Sequence, residues 1–443
     1  MKQMVWPRFL NLLEKAFFTF TLFLLTDKFN HFIGFSSRQP SIRHAVDLWT
    51  DTPVKEIARD VRAWLTTTRS FSIDIAFWLV LLLILLRPGL LTKMRTVLWH
   101  NVAIVVLVLL AGASWFWSIA PDNTLDGFFF LLKITIVGLY ISQSYSLKEI
   151  LYVLVGVIAL ASVLSILAIW QTPEIGVDGP YWQGIYSFKN FLGRLMAFGN
   201  ALLTLYWFTI KGTPFRRILA LVLFVLSGVL LIFSDSATSL VVSIAMYAAL
   251  ILYGIWRKWP ALFSPRLRWP LALFGSFSAI LAIVNYKLVL AFFGRSPTLS
   301  GRTVIWEILW TWFKKRPVFG FGHDAFWQVF PNGLTLAGQA IRHAHNGYID
   351  IGLGLGILGL ITFVVSLLIV WKRTFLVLRQ KQQILYFWPI LVLIYFTLAN
   401  MTYSIAFENP DFHWVLFIIV AGTVTPVVSN ESTEIATANM ISI

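Results

Sequence analysis

The sequence contains no cysteine. That excludes a disulfide, a thiolate nucleophile and any cysteine-held metal, and it leaves cysteine usage silent about compartment. Charge is scarce: charged residues make up 12% of the 443, against about a quarter in a typical soluble domain. Acidic side chains are scarcer still, 20 Asp and Glu against 35 Lys and Arg, for a formal charge of +15. No internal repeat stands out. No cleavable leader is expected: the first apolar stretch, Phe9 to Leu25, carries Glu14 and Lys15 and ends without a clear small-residue cleavage site. It is expected to stay as a first span.

What fills the chain is hydrocarbon. Hydrophobic residues are 58% of the total and mean hydropathy is +0.77. An integral membrane protein follows, because a span needs about 20 mostly apolar residues. Candidate spans lie near 9–27, 71–86, 101–119, 127–145, 150–170, 191–210, 218–234, 239–256, 269–293, 347–371, 385–402 and 412–428. This predicts an all-α polytopic protein of twelve spans, a single membrane domain over 1–443 with a polar tail at 429–443. With the N-terminus cytoplasmic, eighteen cations fall on inside segments. The short outside connections near 120–126, 235–238 and 403–411 hold none, and 171–190 holds only Lys189. That asymmetry is the positive-inside rule, and it places both termini in the cytoplasm. In a membrane protein the basic excess speaks for orientation and anionic lipid rather than nucleic acid.

Two outside segments depart from the rule. Residues 36–70 are polar and mixed in charge. Residues 294–346 form a loop that includes Arg295, Arg302, Lys314, Lys315, Arg316 and Arg342. Long loops cross regardless of charge, and a long loop in a compact protein is usually functional or disordered. Within it, "GRTVIWEILWTWFKKRP" sets Ile305, Leu309, Trp312 and Phe313 at helical spacing before Pro317. Its tryptophans and basic end suit the membrane interface.

The loop closes on "RHAHNGYIDIGLGLGILG", residues 342–359. His343 and His345 sit where water gives way to hydrocarbon, and histidine is the side chain most easily switched near neutral pH. Asn346 can fix a ring or a hydroxyl by hydrogen bonds. Glycines at 347, 352, 354, 356 and 359 admit close approach by a helix or ligand. Ordinary interfacial histidines would also fit here. A metal is not expected, since no nearby acidic or histidine cluster completes a ligand set.

Three further outside stretches converge. "GPYWQGIYSFKNFLGRLMAFG" brings Trp182, Lys189, Asn190 and Arg194 to the start of a span. "GRSPTLSGRTVIW" brings Arg295 and Arg302 to the start of the loop. "WSIAPDNTL" closes the third span with a turn. Cations outside, against the charge rule, suit an anionic ligand at the outer leaflet, which a guanidinium grips in bidentate fashion. Lipid headgroups, or an ion pair with Asp324 or Glu307, are the other reading. Lys133 lies inside a span with no acidic partner evident in sequence, and Lys287 near the end of another can snorkel. "FSDSATSL", with Asp235, reads as a plain helix cap.

Together these stretches resemble the O-antigen ligase and polymerase family of bacterial membrane glycosyltransferases. His345-Asn346, nine residues, Gly356, two residues and Gly359 resemble that family's signature at the end of its large periplasmic loop. The four motifs are most similar to the exopolysaccharide-polymerase branch, in the same order over about 115–360. One departure is Gly354, where the family often has an acidic residue. The resemblance implies a GT-C-like fold and a donor glycan on a polyprenyl diphosphate in the outer leaflet of the bacterial plasma membrane. It implies Arg302, with Lys189 and Arg295, holding the diphosphate, and His345 acting as general base. His343 and Asn346 would orient the base or acceptor, with Trp182, Asn190 and Arg194 among the substrate contacts. No metal, nucleotide sugar or other cofactor is implied. The expected partners are the lipid-linked donor, a glycan acceptor, membrane lipid and proteins that control chain length or export. Ligation of a finished glycan to a lipid or protein is the alternative within this class. A glycolipid or solute transporter is the alternative outside it, disfavoured because the polar residues gather on one outer face rather than at the midplane.

Overall fold

The computed structural model describes residues 5–26, 71–87, 89–209, 213–260, 302–330, 334–336, 339–341, 343–404 and 412–425. The expected span at 269–293, Lys287, Arg295, Arg342, the segment 36–70 and the tail at 429–443 lie outside the described residues.

The chain is an all-α polytopic membrane protein. Its helices are α1 (Val5–Leu24), α2 (Phe71–Leu86), α3 (Leu90–His100), α4 (Val102–Ala113), α5 (Pro121–Ser144), α6 (Leu147–Gln171) and α7 (Lys189–Thr209). They continue as α8 (Pro214–Phe233), α9 (Ala237–Lys258), α10 (Arg302–Phe313), α11 (Gly347–Lys381), α12 (Trp388–Thr402) and α13 (Phe412–Thr423). A helix covers most of every candidate span that falls among the described residues. Six helical stretches are each long and apolar enough to cross a membrane: α5, α6, α8, α9, α11 and Ile384–Thr402. The bent pair α2–α3 makes a seventh if counted as one. Two short antiparallel hairpins accompany the helices, Val177–Asp178 with Tyr181–Trp182 and Leu334–Leu336 with Gln339–Ile341.

The helix starts follow local chemistry. Proline at the first position opens α5 and α8, where its missing N–H costs nothing. Ser146 and Glu149 form a reciprocal capping box at α6. Ser236 accepts from the Ser239 N–H at the start of α9, so the cap in the 233–240 turn belongs to Ser236 and not to Asp235. At α11, Asn346 Oδ1 accepts from the backbone of Tyr348 and Ile349 at 3.0 and 3.4 Å.

α7 sits at the centre, buried on every side from Leu192 to Leu203. Small residues permit this. Gly193 meets the serines of the 234–239 turn, and Gly199 meets Ile158 of α6. α12 and α13 are buried likewise, with Phe396 and Phe417 stacked at 5.1 Å. α8 instead leaves Phe215, Ile218, Leu221 and Val225 exposed, as a lipid-facing helix requires. Lys133 has a partner after all: its ammonium lies 2.6 Å from Asp74 of α2, a pairing 59 residues distant that only the tertiary fold creates.

α11 is not continuous. Gly356 has φ 67° and ψ −165°, which breaks the helix. The backbone groups freed by the break are taken up by the loop segment 317–322. Phe321 and Gly322 donate to the carbonyls of Leu353 and Gly354 at 2.8 and 2.9 Å, and Ile357 donates to Pro317 at 2.8 Å. A Cβ at Gly356 would overlap the Val318 carbonyl, so glycine is required by conformation and by space. The close approach expected from the glycine run is therefore made by this chain's own loop. The "WSIAPDNTL" turn docks the same segment. Ile119 N–H bonds Phe321, Trp117 Nε1 bonds Phe319, and Thr124 Oγ1 bonds the His323 carbonyl.

Candidate active site

The loop, the broken helix, the start of α7 and the end of α12 meet around one aromatic ring, Tyr403. The His343 ring lies 4.6 Å from it and the His345 ring 6.0 Å, centroid to centroid. The two imidazoles stand 4.0 Å apart, edge to face. His345 has φ 53°. That left-handed conformation is uncommon for a residue with a side chain, and it turns the chain sharply between the histidines and Asn346. Ala344, fully buried between them, is held on both sides: Trp306 Nε1 of α10 donates to its carbonyl at 2.9 Å, and Asp350 accepts from its N–H at 3.1 Å.

Arg194 approaches Tyr403 from α7. Its guanidinium carbon lies 4.2 Å over the Tyr403 ring and 4.8 Å over Phe191. The residue is 2% exposed. Nε donates to the Asn190 carbonyl at 3.1 Å, while Nη1 and Nη2 have no hydrogen-bond acceptor among the described residues. A buried guanidinium is costly unless paired and hydrogen-bonded. Cation–π contact offsets part of that cost, and four N–H bonds remain available to an incoming anion.

Arg302, at the first turn of α10, adds a second cation. Burial and the positive charge of Arg194 both lower its pKa from the ordinary value. The two guanidiniums thus feel each other's charge, and an anion placed near them would relieve both. Among the described ion pairs none joins Arg302 to Asp324 or Glu307.

Lys189 and Trp182 sit one step aside. Lys189 Nζ lies 3.4 Å from Asp235 and 3.2 Å over the Tyr181 ring. Trp182 stacks on Phe233 at 4.3 Å. Asn190 contributes its backbone carbonyl to Arg194, and Asn346 spends its carbonyl oxygen capping α11. The structure therefore brings His343, His345, Arg194 and Arg302 together. Lys189 comes within a helical turn or so of Arg194, already balanced by Asp235. Asp350, Tyr403 and Ser404 escaped the sequence reading. Asp350 had a readable signal, a carboxylate in the first turn after "HN", whereas Tyr403 ends a plain apolar run.

Residues 222–364 match the family model described as O-Antigen ligase. The chain is also 27% identical over 297 residues to "Exopolysaccharide production protein ExoQ" of Rhizobium meliloti. That match covers 64% of this chain and 66% of the relative, just under two thirds of its length. The family segment contains Arg302, His343, His345 and the glycine break; Arg194 and Tyr403 lie outside it. Both matches are to proteins of the kind the motifs resemble, an O-antigen ligase model and an exopolysaccharide production protein.

Proposed function

We propose that this chain, as a protein of the O-antigen ligase and polymerase family, joins polyprenyl-diphosphate-linked oligosaccharide units into a polysaccharide at the outer leaflet of the bacterial plasma membrane. One observation carries the reading: a buried Arg194 whose Nη atoms have no acceptor among the described residues lies over the same Tyr403 ring as the His343 imidazole, within the electrostatic reach of Arg302. Arg194 and Arg302 grip the donor diphosphate, helped by Lys189 and Arg295. His345 takes the proton of the acceptor hydroxyl as its oxygen attacks the anomeric carbon. The bond from that carbon to the diphosphate oxygen breaks, and the lipid diphosphate leaves with its charge held by the guanidiniums. His343 and Asn346 set the orientation of the base. The leaving group is already good, so the residues supply position and charge. Chain-length and export proteins are the expected partners, and both termini face the cytoplasm.

The test is glycan output from cells deleted for the gene and complemented with wild type, His345→Ala or Arg302→Ala, at matched membrane levels. Loss of long polysaccharide with accumulation of single lipid-linked repeats is the expected result. Polymer made at wild-type levels by His345→Ala would remove the general-base role. Full-length polymer retained on the lipid carrier in the deletion strain would make the chain a ligase.

A further inference from the structure

We propose that Asp350 is the positioning residue that sets the histidine pair against the two arginines; the inference rests on the reading above. Asp350 lies in the first turn of α11, where the helix dipole favours a carboxylate. Its oxygens accept from donors on three separate segments: Trp327 Nε1 of the loop at 2.9 Å, the Ala344 N–H at 3.1 Å, and the Ser404 hydroxyl. Each of the last two is adjacent in sequence to a residue of the site. Ala344 is flanked by His343 and His345. Ser404 follows Tyr403, the ring that carries the Arg194 guanidinium.

The opposite side of Ala344 is bonded by Trp306, one turn after Arg302 on α10. Arg302 is thereby registered to the histidines through Trp306 and Ala344, and Arg194 through Tyr403, Ser404 and Asp350. Hydrogen-bond donors converge on a group that only accepts. An amide in its place would turn an NH2 toward at least one of them. The carboxylate reaches the histidine pair through the Ala344 N–H between them, so its effect passes through backbone position.

The experiment uses the full chain in proteoliposomes, with lipid-linked repeat units extracted from the deletion strain as substrate. Asp350→Asn is expected to lower kcat about 100-fold, the scale of a 1 Å misplacement, with donor KM within about threefold. Ser404→Ala, which removes one donor and leaves the carboxylate, is expected to lower kcat about tenfold with the same KM. An Asp350→Asn enzyme with kcat within about threefold of wild type overturns the proposal. So does a rise in KM with kcat retained, which would mark a binding group. If Asp350→Asn fails to reach the membrane, Ser404→Ala decides by the same two numbers. His345→Ala runs alongside. If it polymerises at the wild-type rate the general-base reading fails and takes this inference with it; if it is dead while Asp350→Asn is fully active, only the inference fails.

Discussion

Two arginines from the two ends of the bundle make an instructive pair. Arg87 donates to Glu14 at 2.5 Å and to Tyr140 at 2.6 Å, and Glu14 also accepts from Tyr145 at 2.7 Å. Lys15 and Glu149 close a second bridge beside it. Every charge in that knot has its opposite, and its work is to tie α1 to α5 and α6. Arg194 is more deeply buried and has no carboxylate partner among the described residues. A paired charge is a structural element, whereas an unpaired buried charge lowers stability until a ligand supplies its partner. The contrast predicts opposite responses to mutation.

The largest effect is expected at the unpaired site. Arg194→Met should cut polymer output by about 100-fold or more, the scale of removing one preorganised donor from a transition state. Because only Nε is hydrogen-bonded, to the Asn190 carbonyl, and the Nη atoms have no acceptor among the described residues, the same substitution should leave thermal stability in detergent unchanged or higher. A large drop in Tm with Arg194→Met would show that the residue is structural and erase the contrast.

The converse holds at the paired site. Glu14→Gln strips the counter-charge from Arg87 and weakens the acceptor for two tyrosine hydroxyls. The side chain of Glu14 is 10% exposed but that of Arg87 is 41%, so the cost should be about 2 kcal/mol, below that of a fully buried pair. Output per molecule in the membrane should stay at the wild-type level. Thermal unfolding together with glycan yield normalised to protein separates the two effects.

The sequence showed one half of this contrast better than the other. The spans were legible because about 20 apolar residues in a row admit few other readings. The α10 helix was legible from its spacing, with Ile305 and Leu309 buried as expected. The His-x-His-Asn stretch and Arg302 announced themselves as polar groups in the wrong place for their charge. Pairing was not legible, because it is tertiary: Asp74 is 59 residues from Lys133, and Glu14 is 73 from Arg87. Tyr403 carries no sequence signal, since an aromatic residue closing an apolar helix looks like any interfacial tyrosine. The glycine run announced a close approach but could not say that the loop at 317–322 would make it. α3 was missed because Lys93, Arg95 and His100 interrupt its apolar pattern.

His323 tests burial without a charge. It lies in the docked loop, 5% exposed, with its pKa lowered to about 4 by desolvation. The folded chain therefore keeps the ring neutral while the unfolded chain protonates it below its ordinary value near 6.5. Stability should be unaffected above about pH 6.5 and should fall as pH drops toward 4, by about 2 kcal/mol at pH 5. Replacing the ring by His323→Phe should flatten that slope between pH 7 and 5. An unchanged slope would assign the acid sensitivity to other groups.

The smallest effect is expected where the two kinds of site overlap. Lys189 stands beside the unpaired arginines yet is already matched to Asp235 at 3.4 Å, with side chains 26% and 46% exposed. A pair so open to solvent is worth about 0.5 kcal/mol, so Asp235→Asn should scarcely move the Tm. Its effect on function has the opposite sign from that of Arg194→Met. It adds one unpaired cation to the proposed anion site, and donor KM should fall by about twofold at low salt, with the gain vanishing as ionic strength screens the rim. A rise in KM would mean that Asp235 holds Lys189 in the pose the donor needs. Pairing would then serve the candidate site as it serves the Glu14–Arg87 knot, and the line between structural and functional charge would run through this one contact.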